Sequence, residues 1–223
     1  MDLTVADVAR LLHASEKTIY RWIHEGTLPS YRINDKYRLN RVELLEWATA
    51  RNIKLSPEVF DGEQAPVQKG LLADALRAGG VLYDVRGEDK VSALRAVCDV
   101  LPLPEGVNRD DLYAVLLARE TLGSTWIGNG IAIPHPRSPL ILNVKRPSVT
   151  LAFLRQPVDF GALDGKRVGV LFTIISTTIR LHLCLLSHLM YTLQDVGFAR
   201  LLHRRGSAEE ILGAMEQMRA GGY

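Results

Sequence analysis

The sequence predicts a two-domain α+β chain, a small winged helix-turn-helix unit followed by a larger domain in which helices alternate with short strands. Three observations predict it. Helix start and stop signals crowd residues 1–53, with two short β-prone runs among them. Residues 54–70 turn irregular, with Pro57, Gly62, Gln64, Pro66 and Gly70 among scattered acids, which reads as a linker. From residue 71 to 223, helical periodicity alternates with apolar runs too short for anything but strands.

Composition narrows the function classes. The 223 residues are 47% hydrophobic and 23% charged, enough apolar material for a core, so disorder is not expected. A net charge of +2 is too mild to imply a nucleic-acid partner by itself. Cys98 and Cys184 lie far apart in apolar stretches, a pattern of buried thiols with neither a disulfide framework nor metal-ligand spacing. No metal and no cofactor are expected. The opening Met1-Asp2-Leu3-Thr4 lacks the regions of a signal peptide. The most apolar run, Val168 to Ile175, is too short to span a bilayer, so a cytoplasmic protein without membrane insertion is expected.

In the first domain, Thr4 with Asp7 three residues on makes a box-like helix start, and Val5, Val8, Ala9 and Leu12 then share one face. His13-Ala14 turns the chain. A second helix begins at Ser15 and carries Ile19, Trp22 and Ile23 inward while presenting Lys17, Thr18 and Arg21 outward. Gly26 ends it. Tyr31-Arg32-Ile33 and Tyr37-Arg38-Leu39 flank the polar turn Asn34-Asp35-Lys36, as the strands of a wing would, and Asn40 caps a helix from Arg41 to Ala50.

In the second domain, Leu71–Ala78 reads as a helix closed by Gly79-Gly80, and Val81–Val85 as a strand. Lys90–Leu101 is helical, with Val91, Leu94, Val97 and Leu101 spaced for a buried face. Asn108 caps a helix from Asp110 to Glu120 whose acidic first turn suits the helix dipole. Gly128–Ile133, Ser148–Leu154 and Val168–Ile175 read as strands, Leu181–Gln194 and Ala208–Met218 as helices. There is no solenoid repeat.

The run Thr-Ile-Tyr-Arg-Trp-Ile from Thr18 to Ile23, followed by Gly26-Thr27-Leu28-Pro29 before the wing, resembles the MerR/excisionase type of winged helix-turn-helix. The resemblance implies DNA contacts from Lys17, Thr18, Tyr20 and Arg21 on the recognition helix and from Arg32, Lys36 and Arg38 on the wing. The bare residues agree in sign. Between Ser15 and Arg41 stand Lys17, Arg21, Arg32, Lys36, Arg38 and Arg41 against Glu16, Glu25 and Asp35. So few phosphate contacts bind weakly, so a homodimer or a further partner is expected.

A second constellation carries chemistry. A histidine that accepts a phosphoryl group must be neutral, held in one tautomer and reachable by the donor. Cations and backbone N–H groups should surround the dianion it acquires. Pro134-His135-Pro136 stiffens the chain on both sides of an imidazole at the end of an apolar run, and the glycines before it allow close backbone approach. Read as residues alone, a histidine between two prolines, as at His135, is more often a turn residue than a catalyst. His182, Leu186, Leu189 and Leu193 share a helical stripe, which makes His182 a core residue or the edge of a pocket.

The segment Leu117 to His135, above all Gly130-Ile131-Ala132-Ile133-Pro134-His135, resembles the active-site segment of phosphotransferase-system enzyme IIA domains of the fructose/mannitol class, including the nitrogen-regulatory type. The likeness runs over most of residues 71–220. It implies an α/β enzyme IIA domain with a mixed sheet flanked by helices, His135 as phosphoryl acceptor, Arg119 near the phosphoryl group, and His182 as the second histidine. Ser124, Gly128 and Gly130 are candidates for the phosphate pocket. Trp126, where many relatives carry a small residue, is expected to narrow the entrance, and Ser176 to Arg180 is less acidic than in relatives.

The implied partner is a histidine-containing phosphocarrier protein. The implied protein is a regulator in which phosphorylation of His135 is coupled to DNA binding and transcription. The alternative is a phosphocarrier that passes phosphate to a IIB component for sugar uptake, with the N-terminal unit incidental. Either role is a half-reaction of a protein phosphohistidine relay rather than a free-standing enzyme. A phosphorylation-independent adaptor fits less well, because His135, Arg119 and His182 stand together.

Overall fold

A computed structural model describes residues 3–33, 36–51, 53, 70–103, 107–136, 144–162 and 164–217. The chain divides into two compact units, 1–65 and 66–223. The expected linker, 54–70, lies outside the described residues except at Gly70.

The first unit follows its caps. Thr4 Oγ1 accepts the Asp7 N–H at 3.1 Å while the Asp7 carboxylate accepts the Thr4 N–H at 3.0 Å, closing a capping box on α1 (Val5–Leu11). The Thr4 hydroxyl, which donates to Asp7 Oδ2 at 2.7 Å, and then the Thr4 N–H hold the Asp7 carboxyl below its ordinary pKa. His13, in the left-handed region at φ 50°, turns the chain into α2 (Glu16–His24), where Ser15 Oγ accepts the Thr18 N–H. β1 (Tyr31–Ile33) and β2 (Lys36–Arg38) pair antiparallel with Arg32 opposite Tyr37, and the turn residues Asn34 and Asp35 lie outside the described residues. Asn40 Oδ1 accepts the Glu43 N–H at the start of α3 (Arg41–Ala50). Val5, Val8, Ile19, Ile23, Leu28, Leu39, Leu44 and Trp47 fill the core. Trp22 is only half-buried, its ring tilted on Trp47 with centroids 5.1 Å apart.

The second unit is a mixed five-stranded sheet in the order β3-β6-β7-β5-β4. Its elements are α4 (Leu71–Gly79), β3 (Val81–Val85), α5 (Lys90–Val100), α6 (Arg109–Thr121), β4 (Trp126–Gly128), β5 (Ile131–Ala132), β6 (Ser148–Val158), β7 (Val168–Ile175), α7 (Ile179–Leu193), α8 (Val196–His203) and α9 (Ala208–Gln217). β3 runs parallel to β6 and β5 parallel to β7, while β6–β7 and β4–β5 are antiparallel. Ala152, Leu154, Leu171 and Ile175 face a cluster with Leu94, Val97, Cys98, Leu112 and Leu116 of α5 and α6. The alternate residues Leu151, Phe153, Phe172 and Ile174 are buried as well, because α4 packs on β6 and α7 on β7. A sheet covered on both faces needs apolar residues at both parities, hence the unbroken runs in β6 and β7.

Four expectations change in detail. Val91 is exposed, because the buried stripe of α5 runs through Ala93, Leu94, Val97 and Cys98 and leaves Val91 on the solvent side. The single strand expected over 128–133 is a hairpin, with Gly128, Asn129 and Gly130 all at positive φ in the β4–β5 turn. β6 runs on to Val158 past an irregularity in its pairing with β7. α8 was not expected; its signals are Asp195, whose carboxylate accepts the Phe198 N–H, and the buried Phe198, Leu201 and Leu202.

The end of α4 lies backbone against backbone on β6. A Cβ on Gly79 would sit 2.2 Å from the Val149 carbonyl oxygen and 2.8 Å from the Thr150 nitrogen, while Thr150 Oγ1 donates to the Gly79 carbonyl at 2.9 Å. Gly79→Ala is therefore expected to cost about 1–3 kcal/mol in urea unfolding of the second unit. An unchanged midpoint would show that the approach is looser than this.

Candidate functional site

His135 sits where two parallel strands end. Beyond β5 the chain stays paired, with Ile133 N–H donating to the Thr125 carbonyl at 3.0 Å and Ile174 N–H to the Pro134 carbonyl at 3.1 Å. These bonds carry His135 to the C-terminal ends of β5 and β7, the edge at which open α/β sheets present their reactive groups. β7 runs out at Ile175, Thr178 caps α7 by accepting the Leu181 N–H, and His182 follows one turn into that helix.

The two imidazoles meet there. Their ring centroids are 5.0 Å apart at an interplanar angle of 50°, and the residues are 2% and 0% exposed. His135 Nδ1 lies 2.6 Å from the Ile133 carbonyl oxygen. A carbonyl only accepts, so Nδ1 carries the proton, and the neutral form of the ring then has its lone pair on Nε2. His182 Nδ1 lies 3.2 Å from Ser176 Oγ, which is itself buried. Ser176 was part of a noted stretch, but its bond to a ring nitrogen was not foreseen; its signal is a hydroxyl between a buried strand and a helix cap. The chemistry calls for a reachable ring, yet His135 is covered, since one edge rests on its own backbone and it packs on His182. Attack by Nε2 on a group carried by another protein requires that cover to move aside.

The remaining expected residues fall in different places. Arg119, half-buried on the last turn of α6, donates to the Gly123 carbonyl at 2.9 Å and is thereby tied to the loop entering β4. The Ser124 hydroxyl donates to the Phe160 carbonyl at 2.7 Å and accepts the Trp126 N–H at 3.2 Å, so it joins that loop to the sheet. Gly128 and Gly130 shape the β4–β5 turn, at the opposite end of β5 from His135, about 16 Å away at strand rise. Trp126, expected at the entrance, instead packs its indole against the α5–α6 core, because its partner Ala132 faces that side. His203 is exposed and His188 half-buried, and burial pulls the His188 pKa down. Burial pushes the Cys98 thiol up to about 12 and raises that of Cys184, so neither is poised as a thiolate. Among the described residues no group of His, Cys, Asp or Glu is arranged to hold a metal ion, and no helix is long and apolar enough to cross a membrane.

The first unit presents a separate surface. Lys17, Tyr20 and Arg21 of α2 and Arg32 and Lys36 of the wing are exposed; Thr18 and Arg38 are half-buried, and Thr18 Oγ1 lies 2.9 Å from Ser15 Oγ. Tyr37 joins the two elements. Its ring lies 6.0 Å from Tyr20 and 6.1 Å from His24, with the Arg32 guanidinium 5.7 Å from its centroid. Tyr37 was not singled out from the sequence; an aromatic alternating with basic residues in a wing strand is the signal that could have found it.

Comparison with known proteins agrees with both units. Residues 75–218 match the family described as phosphoenolpyruvate-dependent sugar phosphotransferase system, EIIA 2, and residues 3–52 match a helix-turn-helix domain. A nitrogen regulatory protein of Pseudomonas aeruginosa is 39% identical over 106 residues, 47% of this chain and 66% of that protein. One of Klebsiella oxytoca is 32% identical over 142 residues, 63% of this chain and 86% of that protein. The crystal structure of nitrogen regulatory protein IIA-Ntr from Neisseria meningitidis superposes with a TM-score of 0.57 at 29% identity, covering 65% of this chain and 99% of that one.

Proposed function

The chain belongs to the enzyme IIA type 2 family of the phosphoenolpyruvate-dependent sugar phosphotransferase system, and from that premise we propose that it is a cytoplasmic regulatory protein whose His135 takes a phosphoryl group from a histidine-containing phosphocarrier protein. The observation that carries this reading is the apposition of His135 and His182 with the His135 Nδ1 edge held on a backbone carbonyl. In the transfer, the Nε2 lone pair of His135 forms a bond to phosphorus as the donor's P–N bond breaks, and the electron pair returns to the donor imidazole. The proton stays on Nδ1, hydrogen-bonded to the Ile133 carbonyl, so no base is needed. If the Ser176 hydroxyl donates to His182 Nδ1, then Nε2 of His182 bears a proton that can be given to a phosphoryl oxygen. Arg119, on the last turn of α6 and tied through the Gly123 carbonyl to the loop that leads to Thr125, supplies a fixed positive charge.

The modification adds roughly two negative charges at neutral pH. In the same reading the helix-turn-helix unit binds DNA through Lys17, Thr18, Tyr20 and Arg21 of α2 and Arg32, Lys36 and Arg38 of the wing, and the charge change alters that binding or the choice of partner. The regulatory reading is preferred to a carrier serving a IIB component because a helix-turn-helix domain precedes the enzyme IIA domain and nitrogen regulatory proteins are among the relatives.

The full chain, incubated with phosphoenolpyruvate and the general phosphotransferase proteins, is expected to take up one acid-labile phosphoryl group; no uptake removes the proposal. Gel shifts on the DNA upstream of its own operon then compare the two forms. Arg21→Ala is expected to weaken binding about tenfold. No shift at low salt for either form leaves the carrier reading ahead.

A further inference from the structure

Glu120 is a buried carboxylate that the phosphoryl chemistry has not used. It is the penultimate residue of α6 and only 2% exposed. Its oxygens accept the Thr125 N–H at 3.1 and 3.3 Å and the Thr125 hydroxyl at 2.7 Å. The Lys90 ammonium, at the start of α5, stands 3.6 Å away as counter-ion. A carboxylate removed from water is destabilising unless its oxygens are satisfied, and here both are directed at one residue.

That residue leads to the site. The Thr125 carbonyl accepts the Ile133 N–H at 3.0 Å, and the Ile133 carbonyl in turn accepts the His135 Nδ1–H at 2.6 Å. The bonds therefore run without a break from Glu120 through Thr125 and Ile133 to the imidazole. We propose that Glu120, with Lys90 beside it, is a positioning residue for His135: it holds Thr125 in register so that the Ile133 carbonyl keeps the proton on Nδ1 and the lone pair on Nε2. This rests on reading His135 as the phosphoryl acceptor. The residue type follows from the groups it meets. Thr125 presents two donors, the N–H and the hydroxyl, and a carboxylate meets both with acceptors, whereas an amide would turn one N–H₂ toward a donor and leave Lys90 uncompensated. A displacement passed along this chain would release the Nδ1 edge and let the proton move to Nε2, which removes the nucleophilic lone pair.

The test uses the full chain with nitrogen-15-labelled histidine and two-bond proton–nitrogen correlation spectra, the His135 signals being assigned by their loss in His135→Ala. The wild-type ring is expected as a single Nδ1–H tautomer. Glu120→Gln is expected to mix the tautomers at His135 while leaving the exposed histidines unchanged, and to slow phosphoryl uptake roughly 10- to 100-fold. Glu120→Asp, which restores two acceptor oxygens, is expected to recover part of both. A folded Glu120→Gln protein with the wild-type tautomer and rate overturns the proposal. Should that variant not fold, Thr125→Val, which removes only the hydroxyl donor, decides it by the same spectrum: a wild-type pattern there overturns it. The tautomer readout needs no phosphate donor, so it decides on Glu120 even if the wild-type chain takes no label, a result that would instead remove the acceptor reading.

Discussion

His135→Ala is expected to take no phosphoryl group at all: uptake from a phosphorylated phosphocarrier protein falls to background, a rate loss of more than about 10³-fold. The reason is geometric as well as chemical. His135 rests its Nδ1 edge on a backbone carbonyl at the C-terminal ends of two parallel strands, which in the neutral ring places the lone pair on Nε2. The neighbouring His182 is no ready substitute, because its Nδ1 lies against a hydroxyl, Ser176 Oγ, rather than a carbonyl that would fix the proton there. Removing a buried ring leaves a cavity, so the variant must be shown to unfold cooperatively and to keep the wild-type secondary structure. Label at the wild-type level in a folded His135→Ala chain would falsify the assignment of the acceptor.

The second large effect belongs to His182. Its replacement by Ala is expected to lower the transfer rate about 10²-fold while changing the affinity for the donor protein by no more than about twofold. The split follows from when the contact is made. A hydrogen bond to an oxygen of the transferring group strengthens as charge gathers there, whereas the donor's protein surface is recognised elsewhere. Ser176→Ala acts on the same ring at one remove and should produce a smaller loss of the same kind. Equal single-turnover rates for His182→Ala and wild type would reduce the pairing of the two rings to packing.

Much of the fold was legible because its signals are local. Thr4, Ser15, Asn108 and Gly80 mark helix ends in the chain as they do in the structure, each by a hydrogen bond or a left-handed φ within a few residues. Val168–Ile175 read as a strand by its unbroken apolar run, and that run is buried on both faces. The misreadings share a cause. Val91 and Trp126 depend on which side of an element finds a neighbour, and periodicity gives the width of an apolar stripe more securely than its direction. Gly128 and Gly130, candidates for the phosphate pocket, stand at positive φ in the β4–β5 turn, a demand that glycine meets whatever else the turn does. Glu120, on a helix of otherwise ordinary charge, carried no sign that it is buried.

Read alone, the chain showed a capped helical unit followed by an α/β pattern, and the resemblance of its Leu117–His135 segment, more than the two prolines, singled out His135 as the expected phosphoryl acceptor, since caps, turns and short motifs are decided by neighbours in sequence. The sheet order settled the rest. Placing β5 parallel to β7 sets the end of one strand beside the start of α7, which brings His182 onto His135, covers both rings and ties the proton to Nδ1. Those are contacts between distant segments, and their energies exist only once the backbone has closed around them.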